Sequence, residues 1–346
     1  MTISRIYRNH VRPSLRTLIR GVELPHTSFP SISAEELSEL KAIFPADKFF
    51  IFGHGRSGTT LLARLIRLHQ SVHCNWQAHF FTRPPLVTSL VSDPEVARWL
   101  SRRNNRWNRG RDLSPVVLRG ICDTIMEREA RRVEKRIVGD KSPNTLFDGE
   151  AVRMMSTIYP DAKLIAIIRD GRDTILSHLI QEFIDHPERL SRAQKKIKSD
   201  FERQPERFYD RTQSLFTPQD LSRRAKAWAK NVLETQQQGK ESFEDQFVQV
   251  KYEELLMRPS EVLQNLWTFL GAGEPIQGTI KQIQAEIESN PDAPRQLEKL
   301  PSLVGLRRKG GPGLWQELFT DKDREIFKSS AGETLIRLGY EIDKDW

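Results

Sequence analysis

Apolar positions along the chain fall into short solid runs and longer spaced ones. Lys48-Phe-Phe-Ile-Phe-Gly53 is a solid run closed by glycine, as expected of a parallel strand buried on both faces. Lys163-Leu-Ile-Ala-Ile-Ile168 is the clearest strand after it, and Arg136-Ile-Val-Gly139 and Phe247-Val-Gln-Val250 are further strand candidates. Between them the spacing turns helical. Leu61–Ile66, a charged stretch over 95–137, a segment from about Thr174 and Ser260–Leu270 all read as helix, and residues 181–240 are polar and mostly helical, with Pro187, Pro205 and Pro218 as breaks. Strands alternating with helices predict an α/β fold, a parallel sheet flanked by helices on both faces, with largely helical insertions.

The first 46 residues read differently. Ile3, Ile6, Tyr7, Val11, Leu15, Leu18 and Ile19 recur at roughly helical spacing among Arg5, Arg8, Arg12, Arg16 and Arg20. Two readings fit: a helix docked on its own domain or a frayed terminus, which we prefer, and a basic amphipathic helix giving peripheral membrane contact through residues 1–20. Ser33-Ala-Glu-Glu36 resembles a capping box opening a short helix before Pro45. The expected organisation is a basic arm over 1–46 and one domain over 47–346.

With 346 residues, 38% hydrophobic and 29% charged, the chain has the composition of a globular protein with a sizeable core. Lys and Arg exceed Asp and Glu by 54 to 46, a net charge of +8 that favours anionic ligands without fixing a fold. Two cysteines, Cys74 and Cys122, make neither a disulfide framework nor a thiolate cluster, and no apolar run approaches the length of a membrane span. The arginines also interrupt any signal-peptide core, so a cytoplasmic location is expected.

The chemistry begins at Gly53-His-Gly-Arg-Ser-Gly-Thr-Thr60, which lies between a strand and a helix. Such a P-loop-type turn aims backbone N–H groups and the positive end of the helix dipole at an anion. A Walker A loop would end Gly-Lys-Ser/Thr, whereas here Gly58 is followed by Thr59 and the cation, Arg56, comes two residues earlier. The usual lysine of ATP and GTP chemistry is missing. The loop instead resembles the 5′-phosphosulfate loop of sulfotransferases that use 3′-phosphoadenosine 5′-phosphosulfate (PAPS), whose pattern reads Lys/Arg-Ser-Gly-Thr-Thr. With arginine in the loop it is more similar to the protein-tyrosine, carbohydrate and bacterial branches than to the cytosolic steroid and phenol branch.

That resemblance continues downstream. Arg169 stands at the end of the strand 163–168, with Ser177 eight positions on, similar to the family's 3′-phosphate pair. Arg172 and Asp173 read as a surface ion-pair cluster. Arg308-Lys309-Gly310, with Trp315 beyond, resembles the segment that closes over the 3′-phosphate, and Tyr252 occupies the position near the adenine. The resemblance implies that Gly55, Arg56, Ser57, Gly58, Thr59, Thr60, Arg169, Ser177, Tyr252, Arg308, Lys309 and Gly310 hold PAPS as co-substrate, with no metal. Arg56 and Lys141, in Gly139-Asp-Lys-Ser-Pro-Asn-Thr145, would stabilise the charge of transfer. The general base departs from the pattern: the cytosolic branch's histidine position is Pro143, the protein-tyrosine branch's glutamate region holds Trp76 and Gln77, and His79 is the nearest candidate.

The expected activity is transfer of a sulfuryl group to a hydroxyl or amine of a carbohydrate, lipid, metabolite or tyrosine acceptor. The alternatives are a P-loop kinase or nucleotidase and a non-catalytic nucleotide-binding protein. His69 and His73 have the spacing of a zinc helix but lack its Glu and a third ligand, so zinc is not expected. The Arg102–Arg111 run around Trp107 is read as a solvated helix or an acidic-acceptor patch in preference to a nucleic-acid surface. The acceptor and the oligomeric state are not encoded legibly.

Overall fold

The computed structural model describes residues 30–104, 106–144, 146, 149–289, 293–305 and 311–346. Most of the basic arm, residues 1–29, and the triplet Arg308, Lys309 and Gly310 lie outside them. Five strands, β1 (Asp47–Phe52), β2 (Val72–Trp76), β3 (Ile137–Lys141), β4 (Lys163–Ile168) and β5 (Phe247–Lys251), form one sheet in the order β2-β3-β1-β4-β5. Every pairing is parallel, with Ile51 beside Lys141 on one side and Ile165 on the other.

Alternation along β1 places successive side chains on opposite faces. Phe49 and Ile51 pack with Leu62, Leu65 and Ile66 of helix α1 (Thr59–Ile66) and with Leu263, Leu266 and Trp267. Phe50 and Phe52 meet Met126 of α2 (Ser114–Arg132) and Val152 and Met155 of α3 (Glu150–Ile158). Both faces are covered, which is why the strands read as solid apolar runs. A third cluster joins α4 (Gly171–Asp185), α5 (Pro218–Phe243) and α6 (Asp321–Arg337) around Trp228 and Phe327. Gly171 opens α4 against the Trp228 indole, where an added Cβ would lie 2.5 Å from ring carbons.

The sequence expectations for β1, β3, β4 and β5 hold to within two residues. Strand β2 was not expected: its Val72, Cys74 and Trp76 alternate with His73 and Asn75, a period-two pattern on a short edge strand. Residues 95–137 are two helices, Pro94–Ser101 and α2, separated by a loop. Asn108 builds that loop, its Nδ2 donating to the carbonyls of Leu100, Arg102 and Arg111 while its Oδ1 accepts from Gly110 N–H. The described residues of the arginine run are therefore a loop and not the solvated helix expected of them. The expected capping box is present at Ser33 and Glu36, and opens a helix over Ala34–Ile43. That helix docks on the domain through buried Leu40 and an ion pair between Glu35 and Arg111.

Candidate active site

Three parallel strands end side by side, and each hands a functional group to the same crest of the sheet. After β1 the chain turns through 53–58 into α1. Gly58 is the residue before the helix and has φ 93°, and an added Cβ there would sit 2.2 Å from the Tyr252 ring. Only glycine meets both demands. Arg56 also adopts a left-handed conformation, φ 72°. The first turn of α1 has no side-chain cap and no acidic residue, so its N–H groups face the loop without a built-in anion.

β3 runs alongside the loop, because Ser142 N–H donates to Ile51 C=O (3.1 Å) and Asn144 N–H to Gly53 C=O (2.8 Å). This brings Lys141 to the start of α1, where its Nζ donates to Thr60 Oγ1 at 3.1 Å and lies 5.0 Å from the centre of the Trp76 ring. Burial pushes the ammonium down to a pKa of about 8, with Asp140 acting in the opposite sense. Lys141 is not a surface lysine.

On the other side, β4 delivers Arg169. Its Nη1 donates to Arg56 C=O (3.4 Å) and its Nη2 to Gly311 C=O (3.3 Å), while the guanidinium stacks 4.7 Å from the Tyr252 ring centre. Ser177, two turns into α4, accepts from Arg56 Nε at 3.1 Å. Arg169 and Ser177 thus meet at Arg56. Among the described residues, two buried polar atoms here lack any hydrogen-bond partner, Ser57 Oγ and Arg169 Nε. An orphaned hydroxyl and an orphaned guanidinium N–H beside free helix amides are the donor set an anionic ligand satisfies.

Arg172 and Asp173 are buried, contrary to the surface cluster expected of them. Arg172 pairs with Asp170 and Glu341 and lies against the rings of Trp315 (3.8 Å) and Trp346 (4.3 Å), which themselves meet edge to face. Asp173 accepts from the backbone N–H of Gly313 (2.6 Å) and Trp315 (2.9 Å) and stands 3.7 Å from Arg169. It ties the chain at Gly313 and Trp315 to Arg169. The signal was its spacing, one helical turn after Arg169, which a surface reading passes over.

His79 follows β2 in a left-handed conformation, φ 54°, with its N–H on Ser142 Oγ and its Nδ1 2.8 Å from Thr82 Oγ1. Burial, then Arg83 and Lys141, hold its pKa below the usual histidine value. The presumed helix spacing of His69 and His73 is absent: His69 lies in a turn with Nε2 3.2 Å from Gly273 C=O, and His73 is on β2 beside Asn75.

A strand–loop–helix turn is thus flanked by one cation from each neighbouring strand, Lys141 of β3 and Arg169 after β4. Residues 47–221 match the model of the Sulfotransferase family, and the chain belongs to that family. Among curated proteins it is similar to protein-tyrosine sulfotransferase A of Caenorhabditis elegans, 30% identical over 136 residues, 37% of this chain and 32% of the relative. The match thus spans about a third of that protein's length. Among solved structures it is similar to a sulfotransferase from Alicyclobacillus acidocaldarius, 19% identical with a TM-score of 0.40, covering 74% of this chain and 96% of that one. A mouse sulfotransferase complexed with PAP is 18% identical with a TM-score of 0.45, covering 89% and 94% respectively.

Proposed function

We propose that the protein transfers a sulfuryl group from PAPS to a hydroxyl or amine of an acceptor. The observation that carries this reading is the convergence of Arg169 and Ser177 on Arg56, with Ser57 Oγ and Arg169 Nε left unsatisfied beside it. A donor with phosphates on the 3′ and 5′ oxygens of its ribose fits a cradle that has anion-binding groups on two sides of one loop. The α1 amides, Ser57, Gly58, Thr59 and Thr60 would take the 5′-phosphosulfate, and Arg169 and Ser177 the 3′-phosphate. Tyr252, stacked on Arg169 and pressed on Gly58, would border the base. Arg308, Lys309 and Gly310 complete the 3′ side in this reading, supported by the Asp173 anchor at Gly313 and Trp315.

In the transfer, negative charge grows on the oxygen that leaves with the 5′-phosphate and on the sulfuryl oxygens. Preorganised donors aimed at those atoms lower the barrier. Arg56 would supply such a donor from the loop, and Lys141 from β3, its ammonium already held at Thr60. His79 is the sequence candidate for the base. The acceptor classes remain carbohydrate, lipid, metabolite and tyrosine, the last favoured by the likeness to a protein-tyrosine sulfotransferase. Incubation with sulfur-labelled PAPS and a cell extract should label an acceptor with the wild type and lose most of that label with Arg56→Ala and Arg169→Ala. Equal labelling by all three, or tighter calorimetric binding of ATP-Mg than of PAP, would sink the reading.

A further inference from the structure

The site holds a second imidazole that the family resemblance does not use. We propose that His54, inside the phosphosulfate loop, takes the acceptor's proton in place of His79; this rests on the sulfuryl-transfer reading above.

The geometry fixes its chemistry. His54 follows Gly53, the residue just beyond β1, and precedes Arg56 by two residues; it is half-buried, with its imidazole edge-to-face against His178 of α4. Its Nδ1 lies 3.0 Å from Gly55 C=O. A carbonyl only accepts, so Nδ1 carries the hydrogen and Nε2 is left with a bare lone pair. That is the state a proton acceptor needs, with the orienting partner on the far nitrogen.

The neighbouring imidazoles are less suited. His178, edge-to-face with His54 at 6.2 Å, has its Nδ1 3.4 Å from Arg224 Nη1. A guanidinium only donates, so the His178 lone pair is taken and its other nitrogen is the protonated one. His79 shares Nδ1 with a hydroxyl, which can donate or accept, so no tautomer is imposed. The nearby carboxylates are engaged as well: Asp140 accepts from Ala78 N–H and Ser142 Oγ, and Asp173 from Gly313 and Trp315.

The charged and titratable groups around His54 are Arg56 in its own loop, His178 and Glu182 on α4, and Arg224 on α5, with Asp220 behind Arg224. Burial, with Arg224 acting in the same sense, lowers the His54 pKa, so the ring is neutral near pH 7. The step balances simply. The acceptor O–H proton passes to Nε2, the acceptor oxygen forms a bond to sulfur, and the sulfur–oxygen bond to the 5′-phosphate breaks with its electron pair on the departing nucleotide. The imidazolium then returns its proton to water.

The test compares His54→Ala, His54→Asn, His79→Ala and wild type, each assayed for PAP affinity by calorimetry and for transfer from labelled PAPS to 4-nitrophenol, or to water where 4-nitrophenol is not sulfated. The expected result is PAP affinity within threefold for His54→Ala or His54→Asn, a transfer rate lowered roughly 10²–10⁴-fold, loss of the acidic limb of the pH–rate profile, and partial rescue of His54→Ala by added imidazole. His79→Ala should lower the rate by less than either His54 variant does. Long-range ¹H–¹⁵N spectra of the PAP complex should show His54 protonated on Nδ1. The proposal is overturned by a rate loss confined to His79→Ala, by loss of PAP affinity in both His54 variants, by unchanged transfer or absent rescue in His54→Ala, or by a hydrogen on Nε2. Failure of the wild type to bind PAP at all would instead defeat the nucleotide reading.

Discussion

Lys141 shows how a single side chain sets both cost and function. Its pKa is depressed by burial from 10.5 to about 8, so folding disfavours the ammonium. That penalty is present at every pH below about 8 and fades between about 8 and 10.5, where the unfolded chain still binds the proton and the folded one does not. Lys141→Met should therefore stabilise the protein at pH 7 by on the order of 1–2 kcal/mol, a gain that shrinks toward pH 10 in paired denaturant titrations. The same variant should lose most sulfuryl transfer. Arg169 makes the complementary case. Removing its guanidinium deletes a charge-assisted contact worth about 1.5–3 kcal/mol, so Arg169→Ala should weaken PAP binding roughly tenfold or more by calorimetry. Arg56, Arg169, Ser177 and Lys141 were legible as a pattern because residue type and spacing survive without the fold. The roles of His54 and Asp173 were not, since a tautomer and a pair of backbone partners exist only once the chain has folded.

At the scale of elements, solid apolar runs betrayed the strands buried on both faces, and their glycine and proline borders marked the ends. The edge strand β2 escaped because His73 and Asn75 break its run and five residues give little periodicity. The break between Pro94–Ser101 and α2 escaped for another reason: it is made by one amide, Asn108, whose side chain replaces backbone partners. Asn108→Ala would leave three carbonyls and the Gly110 N–H without that partner. A loss of about 1–3 kcal/mol is expected, readable as a lower denaturant midpoint with an unchanged slope. Charge density alone cannot tell a helix from such a loop, and the Arg102–Arg111 stretch is accordingly a shaped surface segment. Lys48 belongs to the same lesson. Inside an apolar strand it is buried against Glu127 at 2.7 Å and Asp123 at 3.8 Å, a network invisible along the chain. Glu127→Ala should cost about 3–5 kcal/mol, measured by thermal or chemical unfolding.

For the whole molecule, the sheet order β2-β3-β1-β4-β5 decides what the site can do. It puts the loop strand in the middle, the Lys141 strand on one side and the Arg169 strand on the other, so one nucleotide would span three strands at once. Ligand at a hundred times its dissociation constant adds about 2.7 kcal/mol to stability, so PAP should raise the melting temperature of the wild type and raise that of Arg169→Ala by about half as much or less. Among the described residues no helix is long and apolar enough to cross a membrane. The acceptor stayed illegible because its pocket belongs to loops and insertions, where shape carries the meaning and composition does not.

The clamp on Arg172 has an optical consequence. Two indoles, Trp315 and Trp346, meet edge to face beside the guanidinium of Arg172, on the helix that also presents Ser177 and three residues after Arg169. Indole emission depends on the charge and polarity beside the ring. A slight rotation of α4 on anion capture would shift the cation between its two chromophores, and the protein's own ultraviolet fluorescence would then register nucleotide occupancy without any dye.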